Sequence, residues 1–463
     1  MAKSPGIFSI LFLASVFLIT SCKKEDKSLA TNLVPTPKPD STISSAGLNQ
    51  SAYAKAQDYY LWNTQLPSTF NPAAFADPNA VMTDIRQYSK EAGFSSAVDR
   101  WSFAMKKKEW DAISGGLSTL AGTTAEDDGD FGITVFFRAE NDLRVRLAEP
   151  NSIAGGAGVR RGWRITKINQ NTNINTSNIP FIIDNIYNAK SANVTFEKPD
   201  GTSIDIALTA TKYPLKQVYL DTIYNSVSGK TGYLVYNSFL GNQNQIAAEF
   251  ARVFNKFSSA GVTNLVVDLR YNGGGYVSLQ QELANYIVNS SATGGVMMKQ
   301  IYNTAHSGEN NTTTFKKEGS LNMNKVYFIV SRSTASASEL LINNLKPYME
   351  VKLVGPSNTH GKPVGYFPIA VGEWYVFPVS FKTLNKNGEG NYYAGISPDA
   401  LVADGLDKDW GDISESSLGS VLRNISSNTF GRVTEETYRE PVLVGQGNSA
   451  LDKSSLKITV DKN

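Results

Sequence analysis

Val266-Val267-Asp268-Leu269-Arg270-Tyr271-Asn272-Gly273-Gly274-Gly275 is an apolar run that ends on three consecutive glycines. It reads as a strand whose end carries bare backbone N–H groups, where a developing oxyanion could be held. Alone, such a Gly-rich turn says little, and no Lys-Ser/Thr follows to make it a phosphate loop. Its surroundings say more. Candidate strands Gly232–Tyr236, Asn264–Leu269, Val326–Val330 and Val351–Val354 alternate with candidate helices Gln245–Phe257, Leu279–Val288 and Ser338–Tyr348. Strand–helix alternation predicts an α/β layered domain, placed here at residues 214–440.

A second stretch, Ser331-Arg332-Ser333-Thr334-Ala335-Ser336-Ala337-Ser338-Glu339-Leu340, follows the strand Val326–Val330. A strand that turns abruptly into a helix presents a serine at the helix N-terminus, where exposed N–H groups favour negative charge. Ser336-Ala337-Ser338-Glu339 is also an S-x-x-E capping box, and by itself the segment is better explained as a cap than as a nucleophile. Downstream residues shift that balance. Gly355 lies nineteen positions after Ser336, and Asn358-Thr359-His360-Gly361-Lys362 follows.

Strand–D-L-R-x-N-x-G-G, then T-A-S-A-S-E, then G-x-x-x-T-x-G-K resembles, in that order, the carboxyl-terminal processing (tail-specific) serine peptidases. Gly395-Ile396-Ser397-Pro398-Asp399 fits the same family. The resemblance spans roughly residues 130–425 and implies a Clp protease/crotonase-like layered α/β catalytic domain. It aligns Ser336 with the nucleophile and Lys362 with the general base. The N–H groups of Ala337 and of Gly274 or Gly275 would form the oxyanion hole. A lysine is a base only when neutral, so Lys362 must sit in an apolar pocket that lowers its pKa. That chemistry needs no metal and no cofactor. The family usually spaces Ser and Lys one residue closer, has Gly where Pro363 stands, and in some members has a supporting Asp where Pro347 falls. One alternative replaces Lys362 with His360, one of two histidines in the chain, in a Ser–His arrangement.

Upstream, residues 126–213 read as a small β-rich module. Leu143, Val145 and Leu147 alternate with charges, and Val194–Lys198 and Ser203–Leu208 flank the turn Pro199-Asp200-Gly201. Glu149-Pro150-Asn151-Ser152-Ile153-Ala154 and Ala157-Gly158-Val159-Arg160-Arg161-Gly162-Trp163-Arg164-Ile165 resemble a PDZ domain, with Trp163 where that family usually has Asp. The resemblance implies a groove that takes a peptide C-terminus by strand addition, with a carboxylate loop around Phe131-Gly132-Ile133. A spacer of PDZ shape with a closed groove is the plain alternative.

Residues 49–125 show helical spacing, with Trp62, Trp101, Phe103 and Trp110 as core aromatics, and residues 114–130 are linker-like. Before them, Pro35, Pro37 and Pro39 mark a tether over 23–48. Lys3 and the apolar stretch Ile7–Ile19 have the size of a signal peptide. Its end, Leu18-Ile19-Thr20-Ser21-Cys22, resembles a bacterial lipobox, and Lys23-Lys24-Glu25-Asp26 after it resembles a surface-export signal of some Bacteroidetes-type lipoproteins, so residues 1–22 are read as a lipoprotein signal with lipidation at Cys22. That implies a lipid-anchored protein of the cell envelope, at the outer membrane on its periplasmic or surface face. Cys22 is the single cysteine, which excludes an internal disulfide framework and a Cys-based zinc site. A net charge of +2, from 44 basic and 42 acidic residues, argues against nucleic acid as a partner. Lys106-Lys107-Lys108 reads as a solvated helix face, and residues 441–463 as an accessory tail.

The function expected is that of a serine endopeptidase acting on polypeptides that are unfolded or have exposed C-termini. A catalytically silent peptide-binding lipoprotein on the same scaffold is the alternative. A polysaccharide-associated lipoprotein is a third reading, for which no aromatic platform is marked out.

Overall fold

The computed structural model describes residues 44–116 and 129–430, with residues 448, 451, 459 and 460. The lipobox with Cys22, the tether up to residue 43 and most of the C-terminal tail lie outside the described residues. The chain is mixed α/β with several sheets.

The central sheet has six strands in the order Ala400–Leu401, Glu350–Gly355, Lys325–Ile329, Val262–Asp268, Gly229–Tyr236 and Val218–Ser226. Neighbours run parallel except for the last pair. Leu265, Val267, Val326 and Phe328 pack on one face, against Phe250, Val253 and Phe254 of helix Gln243–Ser259 and Leu341 and Ile342 of helix Ala337–Leu345. Val266, Tyr327, Ile329 and Val354 pack on the other, with Leu418 and Val421 of helix Ser416–Ser427. Burial on both faces is why these strands read as near-continuous apolar runs. The four strands and three helices expected here are present, with ends shifted by a few residues.

A second, antiparallel sheet orders Asn311–Thr314, Val296–Tyr302, Phe381–Leu384 and Val364–Gly365. Its last strand begins two residues after Lys362.

The N-terminal segment departs from the helical expectation. Among the described residues, α-helices occupy only Ser45–Tyr59, Pro78–Ile85 and Lys107–Ser114, with two 3₁₀ turns between the first two and one after the second. Phe103–Lys106 is a strand paired antiparallel with Trp374–Phe377. Strand pairing with residues so far downstream overrides the local helical spacing. The first helix also starts inside the expected tether, because Ser44 Oγ accepts the Gly47 N–H at 3.2 Å and caps it. Trp62, Trp101 and Trp110 are core residues as expected. Of the lysine run, Lys106 lies 4.2 Å from the Trp374 ring centroid and pairs with Glu373, and Lys107 lies 5.4 Å from the Tyr375 ring. The run therefore covers aromatic surface instead of only facing solvent, as snorkelling lysines do.

Residues 130–211 hold a five-stranded antiparallel sheet, Ile133–Ala139, Asp142–Ala148, Arg164–Ile168, Ser191–Glu197 and Ser203–Thr209 in that order, with helix Ile179–Ile186 packed on it. The Asp200-Gly201 turn forms as expected, with Asp200 accepting the Thr202 N–H at 2.9 Å. A buried ionic network ties this module to the central sheet. Arg161 pairs with Asp404 and donates to the Tyr271 hydroxyl at 2.6 Å. Arg270 pairs with Asp268 at 2.7 Å and with Asp404 and Glu415 at 2.9 Å. The charged residues of the D-L-R motif are thus consumed in joining the two layers, as buried charges must be paired.

Candidate active site

Ser336 stands where strand Lys325–Ile329 has ended and helix Ala337–Leu345 begins. Its backbone has φ 62° and ψ −116°, a region that side chains rarely adopt. The preceding loop enforces it. Thr334 Oγ1 accepts the Ser331 N–H at 2.9 Å and donates to Leu269 O at 2.8 Å, while Ser331 Oγ donates to Arg270 O. Asn272 O receives the Ala335 N–H and the Ser338 hydroxyl, both at 3.1 Å. The Ser331 and Thr334 side chains thus close on the residues that follow strand Val262–Asp268, so the strained φ is over-determined by its neighbours.

Glu339 is fully buried and binds both halves of the site. Its Oε2 accepts the N–H of Ser336 at 2.8 Å and that of Lys362 at 2.9 Å. Its Oε1 accepts the Gly361 N–H at 2.6 Å and the Thr359 hydroxyl at 2.5 Å. Burial raises the Glu339 pKa, and these four donors oppose the rise. Ser336 and Glu339 do share a capping-box arrangement, yet the Ser336 Oγ is buried without a hydrogen-bond partner. The cap therefore accounts for Glu339 and leaves the serine hydroxyl unspent. Ser336 Oγ is therefore not hydrogen-bonded to Lys362 in this state; contacts between paired reacting groups commonly tighten only with substrate bound.

Lys362 is buried, with Nζ 3.8 Å from the Tyr366 ring centroid. Burial drives its pKa well below the usual lysine value, while Asp99 and Glu339 pull it back. His360 is turned elsewhere. Its Nε2 accepts the Trp101 indole N–H at 3.0 Å, which occupies the nitrogen that a Ser–His arrangement would use.

Of the expected oxyanion donors, Gly274 gives its N–H to Asn272 Oδ1 at 2.9 Å and is engaged there. Gly275 has φ 143°, and a Cβ on it would meet the Phe239 carbonyl carbon at 2.3 Å, so only glycine fits. Ala337 opens the helix, where a first-turn N–H has no acceptor within the helix. In the β-rich module, the Gly132 N–H donates to Asp130 Oδ1 at 2.6 Å and Ile133 is a buried strand residue opposite Ala148. The expected carboxylate loop is therefore corrected at Gly132, whose amide is already spent on a local turn.

Sequence reading missed the contribution of Asp99-Arg100-Trp101-Ser102 entirely. Arg100 Nη2 donates to Tyr393 O at 2.9 Å and, at 3.4 Å, to His360 O and Gly361 O. Asp99 accepts the Tyr60 hydroxyl at 2.9 Å and the Trp101 and Ser102 N–H groups at 2.8 and 3.1 Å. Arg100 and Trp101 thus hold the loop that carries Lys362, on a turn that Asp99 orders. The buried carboxylate of Asp99 was visible only as a charge beside core aromatics, which gives no sign of what it faces.

Residues 230–402 match the model of peptidase family S41, and residues 48–103 match the model of the peptidase S41 N-terminal domain. Both matches are to peptidase family S41. Residues 99–102 thus fall within the stretch matched by the N-terminal-domain model, and Ser336 and Lys362 within the stretch matched by the S41 model. A Staphylococcus aureus protein named a probable CtpA-like serine protease is 25% identical over 277 residues, 59% of this chain and 53% of its own length. Its Staphylococcus saprophyticus counterpart is 25% identical over 269 residues, 58% of this chain and 50% of its own. The chain spans about half the length of the curated relatives it matches. An S41 protease structure from Bacteroides fragilis superposes with a TM-score of 0.65, at 22% identity, covering 82% of this chain and 97% of that one. That likeness is one of fold.

Proposed function

We propose that the protein is a serine endopeptidase in which Ser336 is the nucleophile and Lys362 the general base. The observation that carries this reading is a buried serine hydroxyl without a partner, at a strained helix N-terminus, whose own amide shares a carboxylate oxygen with the amide of a desolvated lysine. Neutral Nζ takes the Ser336 proton as Oγ attacks the peptide carbonyl. The N–H groups of Ala337 and Gly275 hold the oxyanion. The Lys362 ammonium then protonates the leaving amine as the C–N bond breaks; the now neutral Lys362 takes a proton from water, which attacks the acyl carbon, and as the C–Oγ bond breaks the ammonium returns that proton to Ser336 Oγ. We assign the two-faced sheet to the Clp protease/crotonase type and the module at 126–213 to the PDZ type, which would present polypeptide C-termini to the cleft.

A serine-reactive phosphonate probe should label the wild-type chain and not Ser336→Ala. A library of unstructured peptides should be cut by the wild type alone. Labelling and cleavage both absent from a folded wild-type chain would favour the silent-binder reading. If the module captures C-termini, free-acid peptides should be cut faster than their amidated forms. Equal rates would reduce the module to a spacer, an outcome that Gly132's engaged amide makes a serious contender.

We also propose lipid attachment at Cys22, on the lipobox-like residues before it. Diacylation gives stable anchoring without a spanning helix. Cys22→Ala should move the protein from the membrane fraction to the soluble one; retention of the variant through a salt wash would refute the anchor.

A further inference from the structure

The far C-terminal residues were expected to be an accessory tail, and the described ones make specific contacts with the rest of the chain. Strand Ile133–Ala139 is an edge of the five-stranded sheet, so one side of its backbone is open to strand addition. Asn448 fills that side. The Phe137 N–H donates to Asn448 Oδ1 at 2.6 Å, and Asn448 Nδ2 donates back to Phe137 O at 2.8 Å. A side-chain amide here reproduces the donor–acceptor pair that a neighbouring strand would supply. Leu451 is fully buried in the core of the same module. Its carbonyl accepts the hydroxyl of Tyr187 at 3.3 Å, and that hydroxyl also receives the Val135 N–H at 3.0 Å. Tyr187 directly follows helix Ile179–Ile186, so the tail lies between the edge strand and that helix.

Thr459–Val460 lies at the other end of the molecule's chemistry. It pairs in parallel with Gly275–Tyr276, Gly275 opposite Thr459 and Tyr276 opposite Val460. The opposite side of this short strand is held by Phe239, through Phe239 N to Gly274 O and Tyr276 N to Phe239 O, both 3.0 Å. The tail has taken the remaining edge, beside the glycine proposed as an oxyanion donor. It also lies against Val364–Gly365, the strand that follows Lys362. Backbone from the chain's own tail therefore runs between the oxyanion side and the base side of the cleft.

We propose that this tail is a cis ligand of both sites: Asn448 and Leu451 fill the groove of the β-rich module, and Thr459–Val460 occupies the polypeptide strand position of the catalytic cleft. The ligand class is an extended polypeptide with an amide side chain at the edge strand and a buried aliphatic three residues later. Groove occupancy stands without the peptidase reading, while occupancy of a substrate position rests on it. An intramolecular ligand acts at an effective concentration in the millimolar range, so a polypeptide in trans must displace it before binding.

The test uses Ser336→Ala chains, which cannot turn over, and a fluorescein-labelled peptide of residues 447–463. The peptide should bind a chain ending at Gly447 at least about tenfold tighter than the full-length chain, by anisotropy. A peptide carrying Leu451→Asp should not bind. Equal affinity for both chains, or none for either, overturns the inference. Because the shortened chain can fold poorly, full-length Asn448→Ala/Leu451→Asp provides a second reading by hydrogen exchange. Its Phe137 amide should exchange at least about tenfold faster than in the wild type, and unchanged protection also overturns the inference. With Ser336 restored, the unlabelled peptide should inhibit hydrolysis by the shortened chain. Binding without inhibition removes the cleft half of the proposal. Binding to a chain that hydrolyses nothing leaves the cis ligand standing and removes the peptidase reading instead.

Discussion

Ser336→Ala is expected to lower peptide hydrolysis by about a thousandfold or more, and Lys362→Ala by a similar factor, because groups that act as one unit fail together. Both proteins should stay folded. Ser336 Oγ makes no hydrogen bond to lose, and even a working cap contributes only about 1 kcal/mol. Ser336→Gly should be equally inactive yet more stable than Ser336→Ala by about 1 kcal/mol, since glycine relieves the φ of 62°. Lys362→Arg should not rescue activity, because guanidinium stays protonated and cannot take the serine proton. His360→Phe should keep most of the activity, as its Nε2 is already held by Trp101. A dead His360→Phe beside an active Lys362→Ala would install the histidine as base.

The pH profile tests the same pair. Lys362 must lose its proton to act, and burial holds its pKa well below the ordinary lysine value, so activity should rise through one ionisation below that value. Asp99 favours the ammonium form and raises this pKa. Removing its charge in Asp99→Asn should let the pKa fall further and move the rising limb to lower pH. A limb that stays put or moves up would show that Asp99 does not face the base.

Glu339→Ala separates a simple cap from the carboxylate that joins the site. A lost cap costs about 1 kcal/mol. Here the substitution strands the buried N–H groups of Ser336, Gly361 and Lys362 and the Thr359 hydroxyl. Each unsatisfied buried donor costs about 1–3 kcal/mol, so even with water entering the gap the loss should exceed about 3 kcal/mol. Activity should fall by about a hundredfold or more, because an ångström of drift in a reacting group is enough for that. Glu339→Gln should lie between, since its one acceptor oxygen can keep some of the donors but its amide nitrogen faces the others. Urea unfolding with peptide kinetics reads both quantities. A Glu339→Ala protein within about 1 kcal/mol of wild type and fully active would reduce Glu339 to a cap.

The elements of the central sheet were legible because each strand is buried on two faces and each helix on one stripe, patterns that reside in neighbouring residues. Ser336 and Lys362 were legible as an ordered set of motifs, and their shared carboxylate lay in view as the S-x-x-E box. The spacing alone could not separate a capping glutamate from one that also takes the Gly361 and Lys362 amides, because the second loop reaches it only in three dimensions. The engaged amides of Gly274 and Gly132 were not legible for a related reason: sequence marks an amide as available, while Asn272 and Asp130 take these two in the fold.

Local pattern determined by itself the strand–helix alternation and the hairpin at Asp200-Gly201, while the ordered motifs of the resemblance singled out the serine and lysine on which the proposed chemistry turns. Tertiary structure alone decided that Arg100 and Trp101 hold the Lys362 loop, that Arg161 reaches Asp404, and that Asn448, Leu451 and Thr459–Val460 close on the edge strand and the glycine strand. The physical reason is one of range. Periodicity and turn chemistry act between residues a few positions apart, whereas a buried charge, an open strand edge or an orphan amide is satisfied by whichever partner the fold brings within 3 Å.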